Sequence, residues 1–484
     1  MPIVPFAPFE PDRSRFNPQV ATVVLNAKPV RDGWGPMNSL VSVSDALPSA
    51  PRGGIAVKAD DGTWKIFAGT ATNLYRINAS TYLWEEISRV TDDYLLPDGV
   101  FWSFARWGNW LIATAEGSDF PQYVDLAGSA DFANLTNATF EAEIVAVVGD
   151  FLVFARIDGD KRKMKWSGVN DANFYTKAQR GSDEQILPTG GAIQSILPQQ
   201  LNAIIVQEAA IRTMLFDPES GLAFRFEPID LDRGTFAQRS VVNIGPNDFV
   251  YLAKDGFYRG LEARPIGAER VNRWFFDQVA GDKIDLVSGY ADQFEKQILW
   301  RYEDESGDSH ILGYDWQLDR WFPADIEALD IFGAATAGIT LDGATTLYST
   351  LGGMPYALGS RFYLGGIPNL GGFTSDFKFG FFDGPTLEAI IETEDKALNF
   401  PRRAITSRAT VLVDASDSEL QVGTKATQDA ALSYGSYLTQ ISSQPFFNTR
   451  TSGRWHRFRV KRPASSTWKN ASGIDVAFTD GGSR

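Results

Sequence analysis

Over 484 residues the chain carries 60 acidic and 45 basic side chains, a formal net charge of −15, with no cysteine and two histidines, His310 and His456. That balance removes disulfides, thiolate metal sites and cysteine nucleophiles, and leaves a histidine triad or metal centre almost nothing to build on. It also argues against a general DNA-binding surface, because such affinity comes mainly from neutralising phosphates.

Residues 1–50 read as an extended arm. Pro2, Pro5, Pro8, Pro11 and Pro18 oppose helix and central strand and favour polyproline-like backbone. Phe6, Phe9, Phe16 and Trp34 are costly to leave in water, so the arm is expected to pack on another domain or subunit. A strand is expected at 20–25, followed by a turn at 28–35. The opening residues lack a basic region followed by an apolar core, so no classical export signal is expected, and no apolar run reaches membrane-spanning length.

Residues 51–364 repeat a short-strand unit. DDGTWKIF (60–67) resembles the Asp-box turn of sialidase-type propellers, one residue short, and is read as structural. NLYRINASTYLWEEIS (73–88) has an ending that recurs in weaker form at 122–136, 164–176, 213–229 and 255–271. Closing aromatics stand at Trp84, Phe132, Phe174, Phe224 and Trp321. Residues 102–114 and 144–156 are two copies of one hairpin, turning at Gly-Asn and Gly-Asp. The scheme returns at 196–216 and 245–260. The clearest unit is 285–323, with apolar runs at 284–290, 297–302, 311–314 and 320–322 separated by polar turns. Four such runs make one propeller blade, and the spacing predicts a β-propeller of about six blades, ending in a partial blade at 332–352. Only short helices are expected, around 272–280 and 428–437.

LGGIPNLGGF (364–373) reads as a linker. Residues 365–484 then alternate with period two, predicting a β-sandwich-like platform. Within it RTSGRWHRFRVKRP concentrates Arg450, Arg454, His456, Arg457, Arg459, Lys461 and Arg462. Basic residues interleaved with aromatics can bind nucleic acid, but in an acidic chain docking on an acidic neighbouring subunit is the preferred reading. The interface candidates are therefore Phe6, Phe9, Phe16, Trp34, Arg454, Arg457, Arg459, Lys461 and Arg462. Since the arm cannot form a domain alone and the platform's edges need covering, its strand is expected to join the C-terminal sheet.

Two stretches carry a family resemblance. FNPQVATVVLNAKPVRDGWGPMNSL (16–40), with Asn26, Pro29, Asp32, Gly33, Trp34, Gly35 and Pro36, resembles the start of tail nozzle or hub proteins of short-tailed bacteriophages. The ending at 453–478 resembles the close of the same proteins. The resemblance implies a structural virion protein: a ring, commonly of six copies, below the portal and its adaptor, with tail fibres or spikes as further partners. It would hold packaged DNA and conduct it through the lumen without specific binding, having assembled in the host cytoplasm. It implies no catalysis and no cofactor.

Candidate chemistry is sparse. Glu85-Glu86, Asp92-Asp93, 303–305 and 392–395 are carboxylate runs, but a glycosidase needs two carboxyls at a set separation, one in an apolar pocket, which runs do not supply. DESGDSH (304–310) has alternating oxygen ligands but lacks the closing glutamate of a calcium loop, so Asp304, Glu305 and Asp308 read as turn residues. The alternatives are a secreted propeller hydrolase or lyase acting on glycans, and a propeller that only binds glycan or protein.

Overall fold

In the computed structural model each blade is a meander whose polar turns stop one strand and start the next. The structure describes residues 3–482 except 15, 16, 18, 92, 129, 221, 222, 337, 339–343, 345–347, 349 and 441–443. The unit at 285–323 shows the logic. Its strands are Ser288–Asp292, Gln297–Glu303, Ser309–Asp315 and Arg320–Ala324. Asp292, Asp304 and Asp315 accept backbone N–H groups of Phe294, Ser306 and Gln317 at 2.9, 2.8 and 3.0 Å, fixing the turns locally. The two middle strands are buried on both faces, because further blades stack on either side.

Seven such four-stranded sheets occur among the described residues. Six follow in chain order over 54–86, 103–134, 142–186, 193–230, 242–265 and 288–324. The seventh combines Asp330–Ala334, Asn369–Phe373 and Lys378–Phe381 with Val41–Ala46 from the arm, pairing Phe381 with Val41 and Lys378 with Ala46. Blade-leading strands pack on one another around the circle, including Asp330–Ala334 on Gly54–Lys58. Trp102 joins the first two blades: its Nε1 donates to Thr70 O at 2.8 Å, and a Cβ on Gly69 would lie 2.1 Å from its ring.

Several expectations need correcting. Among the described residues there are seven blades rather than about six, because the last is completed by a strand from the other end of the chain. The glycine-rich linker is partly that blade's second strand, Asn369–Phe373, fully buried. Glycine is required here by close approach, since a Cβ on Gly371 would lie 2.6 Å from the Phe379 ring. A helix forms at Asn272–Gln278, but 428–437 holds only the short strand Ser433–Tyr434. Of the expected partial blade at 332–352, residues 332–334 lie in the leading strand of the seventh blade, Asp330–Ala334, and 337, 339–343, 345–347 and 349 lie outside the described residues.

The platform is a pair of six-stranded sheets. Both contain arm strands. Ile3–Pro5 pairs with the last strand, Ala471–Asp480, and the hairpin Ala27–Val30/Gly33–Pro36 joins the same sheet through Trp34 opposite Ala471. Val24–Leu25 pairs with Ile391 and Ile390 in the other sheet. The arm also seats on the propeller. Asn26 N donates to Pro323 O at 3.1 Å, and Asp12 accepts from the amides of Arg273 and Trp274 at 2.8 Å each, capping the helix. One buried cluster therefore runs from Phe6, Phe9 and Trp34 through Phe257 and Trp321 to Ile391 and Ile474. No helix among the described residues is long and apolar enough to cross a membrane.

Candidate functional site

Two backbone irregularities converge at one mouth of the propeller's central channel. Glu143 and Arg156 stand opposite each other in the third blade, flanked by the pairs Ala142–Ile157 and Ile144–Ala155. Pairing to the next strand shifts between Ala155 and Ile157, making Arg156 a bulge residue at φ +62°. In the fourth blade a shift between Ile193 and Ser195 leaves Gln194 as a second bulge. Bulges re-aim side chains, and non-glycine residues in the left-handed region are held there only by surrounding structure. These two side chains meet: Arg156 Nη1 donates to Gln194 Oε1 at 3.2 Å and to Ile193 O at 3.3 Å, and the guanidinium pairs with Glu143.

The pocket above them has a volume of about 600 Å³. Its rim carries Glu116, Lys161 and Asp285, of which Lys161 and Glu116 act on Glu143 through their charges. Arg239 lies 4.1 Å from the Phe101 ring centroid and pairs with Asp330, which is fully buried in the seventh blade. Burial pushes the Glu143 carboxyl above the usual range; Arg156 and Lys161 oppose this and Glu116 adds to it. A perturbed carboxyl in a cleft beside a specific charge partner marks a site. The wider cleft of about 1070 Å³ between platform and the last two blades is a poorer candidate, because its charges pair among themselves: Arg361 with Asp292 at 2.8 Å, Lys28 with Glu295 at 3.0 Å.

The interface candidates from the sequence lie elsewhere. Phe6, Phe9 and Trp34 are buried inside the chain, 5%, 2% and 0% exposed, so they join the arm to its own platform and propeller rather than offering a face to another subunit. Phe16 lies outside the described residues. The basic strand Trp455–Arg462 is likewise answered internally. Arg457 reaches Glu392, Glu394 and Asp395 at 3.1, 3.2 and 2.9 Å, Arg459 reaches Glu392 at 2.5 Å, and Lys461 reaches Glu388 at 2.9 Å. Arg462 is fully buried, pairs with Asp417 and donates to Ser418 Oγ at 2.8 Å. Arg454, half-buried, precedes the strand. For Arg457, Arg459, Lys461 and Arg462 docking is thus corrected to an ionic lock within the platform, which also ties in the arm, since Thr22 donates to Glu394 at 2.7 Å.

The remaining motifs are structural. DDGTWKIF forms a hairpin between the first two strands of the first blade, with Asp61 accepting from Thr63 N and Oγ1 at 2.9 and 2.6 Å. His310 sits between Asp304 and Asp325, at 3.2 and 3.0 Å. None of the carboxylate runs contributes to the channel-mouth pocket, and Asp92 lies outside the described residues. Among those residues no cluster of His, Asp and Glu is arranged to hold a metal. Sequence reasoning missed Glu116, Glu143, Arg156 and Gln194. One signal was present: WLIATAE and IVAVVGDFLVFAR each run an apolar strand straight into a charged residue at the same end of its blade.

No family model and no curated protein matches the chain. Solved structures similar to it include the computationally designed Ika8 protein, at 10% identity and TM-score 0.38 over 74% of this chain and 95% of that one. Puromycin hydrolase is 12% identical at TM-score 0.36, over 71% and 60% of the two chains. An oligogalacturonate lyase in complex with manganese is 11% identical at 0.36, over 55% and 77%. The expectation that the chain is not an enzyme is corrected here: the similar structures include hydrolases, prolyl endopeptidases and a lyase. At this distance the likeness concerns the fold and assigns no substrate. By its architecture the chain is an all-β protein, a seven-bladed propeller joined to a β-sandwich that its N-terminal arm completes.

Proposed function

We propose that the chain is a tail nozzle or hub protein of a short-tailed bacteriophage, a ring-forming component that retains the packaged genome and conducts it at ejection. One observation carries this reading. The two stretches that resemble those proteins, 16–40 and 453–478, are far apart in sequence yet meet in one platform: Trp34 opposite Ala471, and Val24 on Ile391 beside the strand Trp455–Arg462. A resemblance confined to a composite platform is expected of a part that holds position in an assembly. The net charge of −15 suits a wall past which DNA must slide without adhering. On this reading the platform faces the adaptor and neighbouring copies, six in the ring, and the protein resides in the virion.

Heads packaged without this chain, then treated with nuclease, test the proposal. They should lose their DNA, and adding the purified chain should restore both retention and infectivity. Heads that keep their DNA and infect equally well without the chain would overturn it.

A further inference from the structure

Independently of that role, we infer that the channel-mouth pocket of Glu116, Glu143, Arg156, Lys161, Gln194 and Arg239 is a binding site for a neutral oligosaccharide. The pocket is built rather than incidental: two bulges bring Arg156 and Gln194 together, and both side chains are buried, 8% and 6% exposed. Arg239 is fixed from below by Asp330 and from the side by Phe101.

The charge pattern selects the ligand class. Asp98, Glu116, Glu143 and Asp285 line the pocket together with Arg156, Lys161 and Arg239. A phosphate or polyanion meets the four carboxylates, and a polycation meets the three cations. An apolar ligand would strip water from charged groups and return no hydrogen bonds. A hydroxyl both donates and accepts, so a polyol satisfies carboxylate, guanidinium, ammonium and amide in one cavity. Phe101, Phe236 and Leu286, half-buried on the wall, offer apolar surface to the C–H faces of sugar rings. The volume of about 600 Å³ lies within the range of roughly 300–1,000 Å³ typical of small-ligand pockets.

Calorimetric titration of the full chain tests this, with cellohexaose, maltohexaose and chitohexaose as neutral probes, heparin as the anionic probe and spermine as the cationic one. At least one neutral hexasaccharide should bind saturably. Glu143→Gln and the rim variants Glu116→Ala and Lys161→Ala should each weaken that binding about tenfold or more. Neither rim side chain makes a salt bridge within 4 Å among the described residues, and the melting temperature of each variant, measured alongside, separates a loss of binding from a loss of fold. Failure of all three neutral sugars to bind would overturn the inference. So would binding that survives both rim substitutions, or heat seen only with heparin or spermine.

Discussion

Trp34→Ala should cost the platform about 3–5 kcal/mol, the range for removing a buried large aromatic. The ring is 0% exposed and its Nε1 donates to Ala7 O at 3.2 Å, so the substitution leaves a cavity and an unsatisfied carbonyl at the joint between arm and sandwich. Scanning calorimetry should show the loss in whichever transition contains the platform. His456 provides a test by pH. Burial lowers its pKa from 6.5 to about 4, against the Phe458 ring. The unfolded chain therefore takes up this proton at a higher pH than the folded one. The stability contribution is complete above pH 6.5 and is lost progressively as pH falls toward 4. His456→Phe should flatten the fall in melting temperature across that window relative to the parent; an unchanged slope would show that the imidazole is not held neutral. The basic strand shows what was legible at this scale. Its alternation was readable, but the identity of its partners was not, because Glu392 ends a neighbouring strand far off in sequence and Glu394 and Asp395 follow it.

Strand Val41–Ala46 closes the propeller, and Ile3–Pro5 with Val24–Leu25 cover platform edges, so the N-terminal segment serves two domains in turn. Deleting residues 1–25 should unfold or aggregate the platform while leaving the seven blades closed, because the closing strand is retained. Deleting 41–46 should instead open the ring at the seventh blade. Limited proteolysis separates the outcomes: the first variant should yield a protease-resistant propeller and the second should not. The blades at 103–134 and 288–324 were legible because each is a local meander with Gly-Asn or Asp turns between apolar runs. The seventh was hidden because its strands come from both ends of the propeller segment and a long excursion separates the first two. The channel-mouth pocket was hidden for a related reason. Glu116, Glu143 and Gln194 belong to three successive blades and meet only when the sheets close into a circle, and the bulges that aim Arg156 and Gln194 leave no period in the sequence.

For the whole molecule, the arm fuses propeller and platform through one buried cluster, so the two should move as a unit. On the proposed function, the exposed platform surface makes the contacts with other chains. Phe400, 72% exposed beside Trp455, and Tyr437 are its prominent aromatics. Phe400→Ser should weaken assembly without lowering the melting temperature. On the proposed function, identical copies close into a ring through this platform. Native mass spectrometry of the purified chain, alone and after addition of portal–adaptor complexes, tests it most directly. A discrete closed species of six 53.4 kDa copies is expected, formed alone or on the adaptor and lost when residues 1–25 are deleted. A chain that stays a 53.4 kDa monomer under both conditions would contradict it.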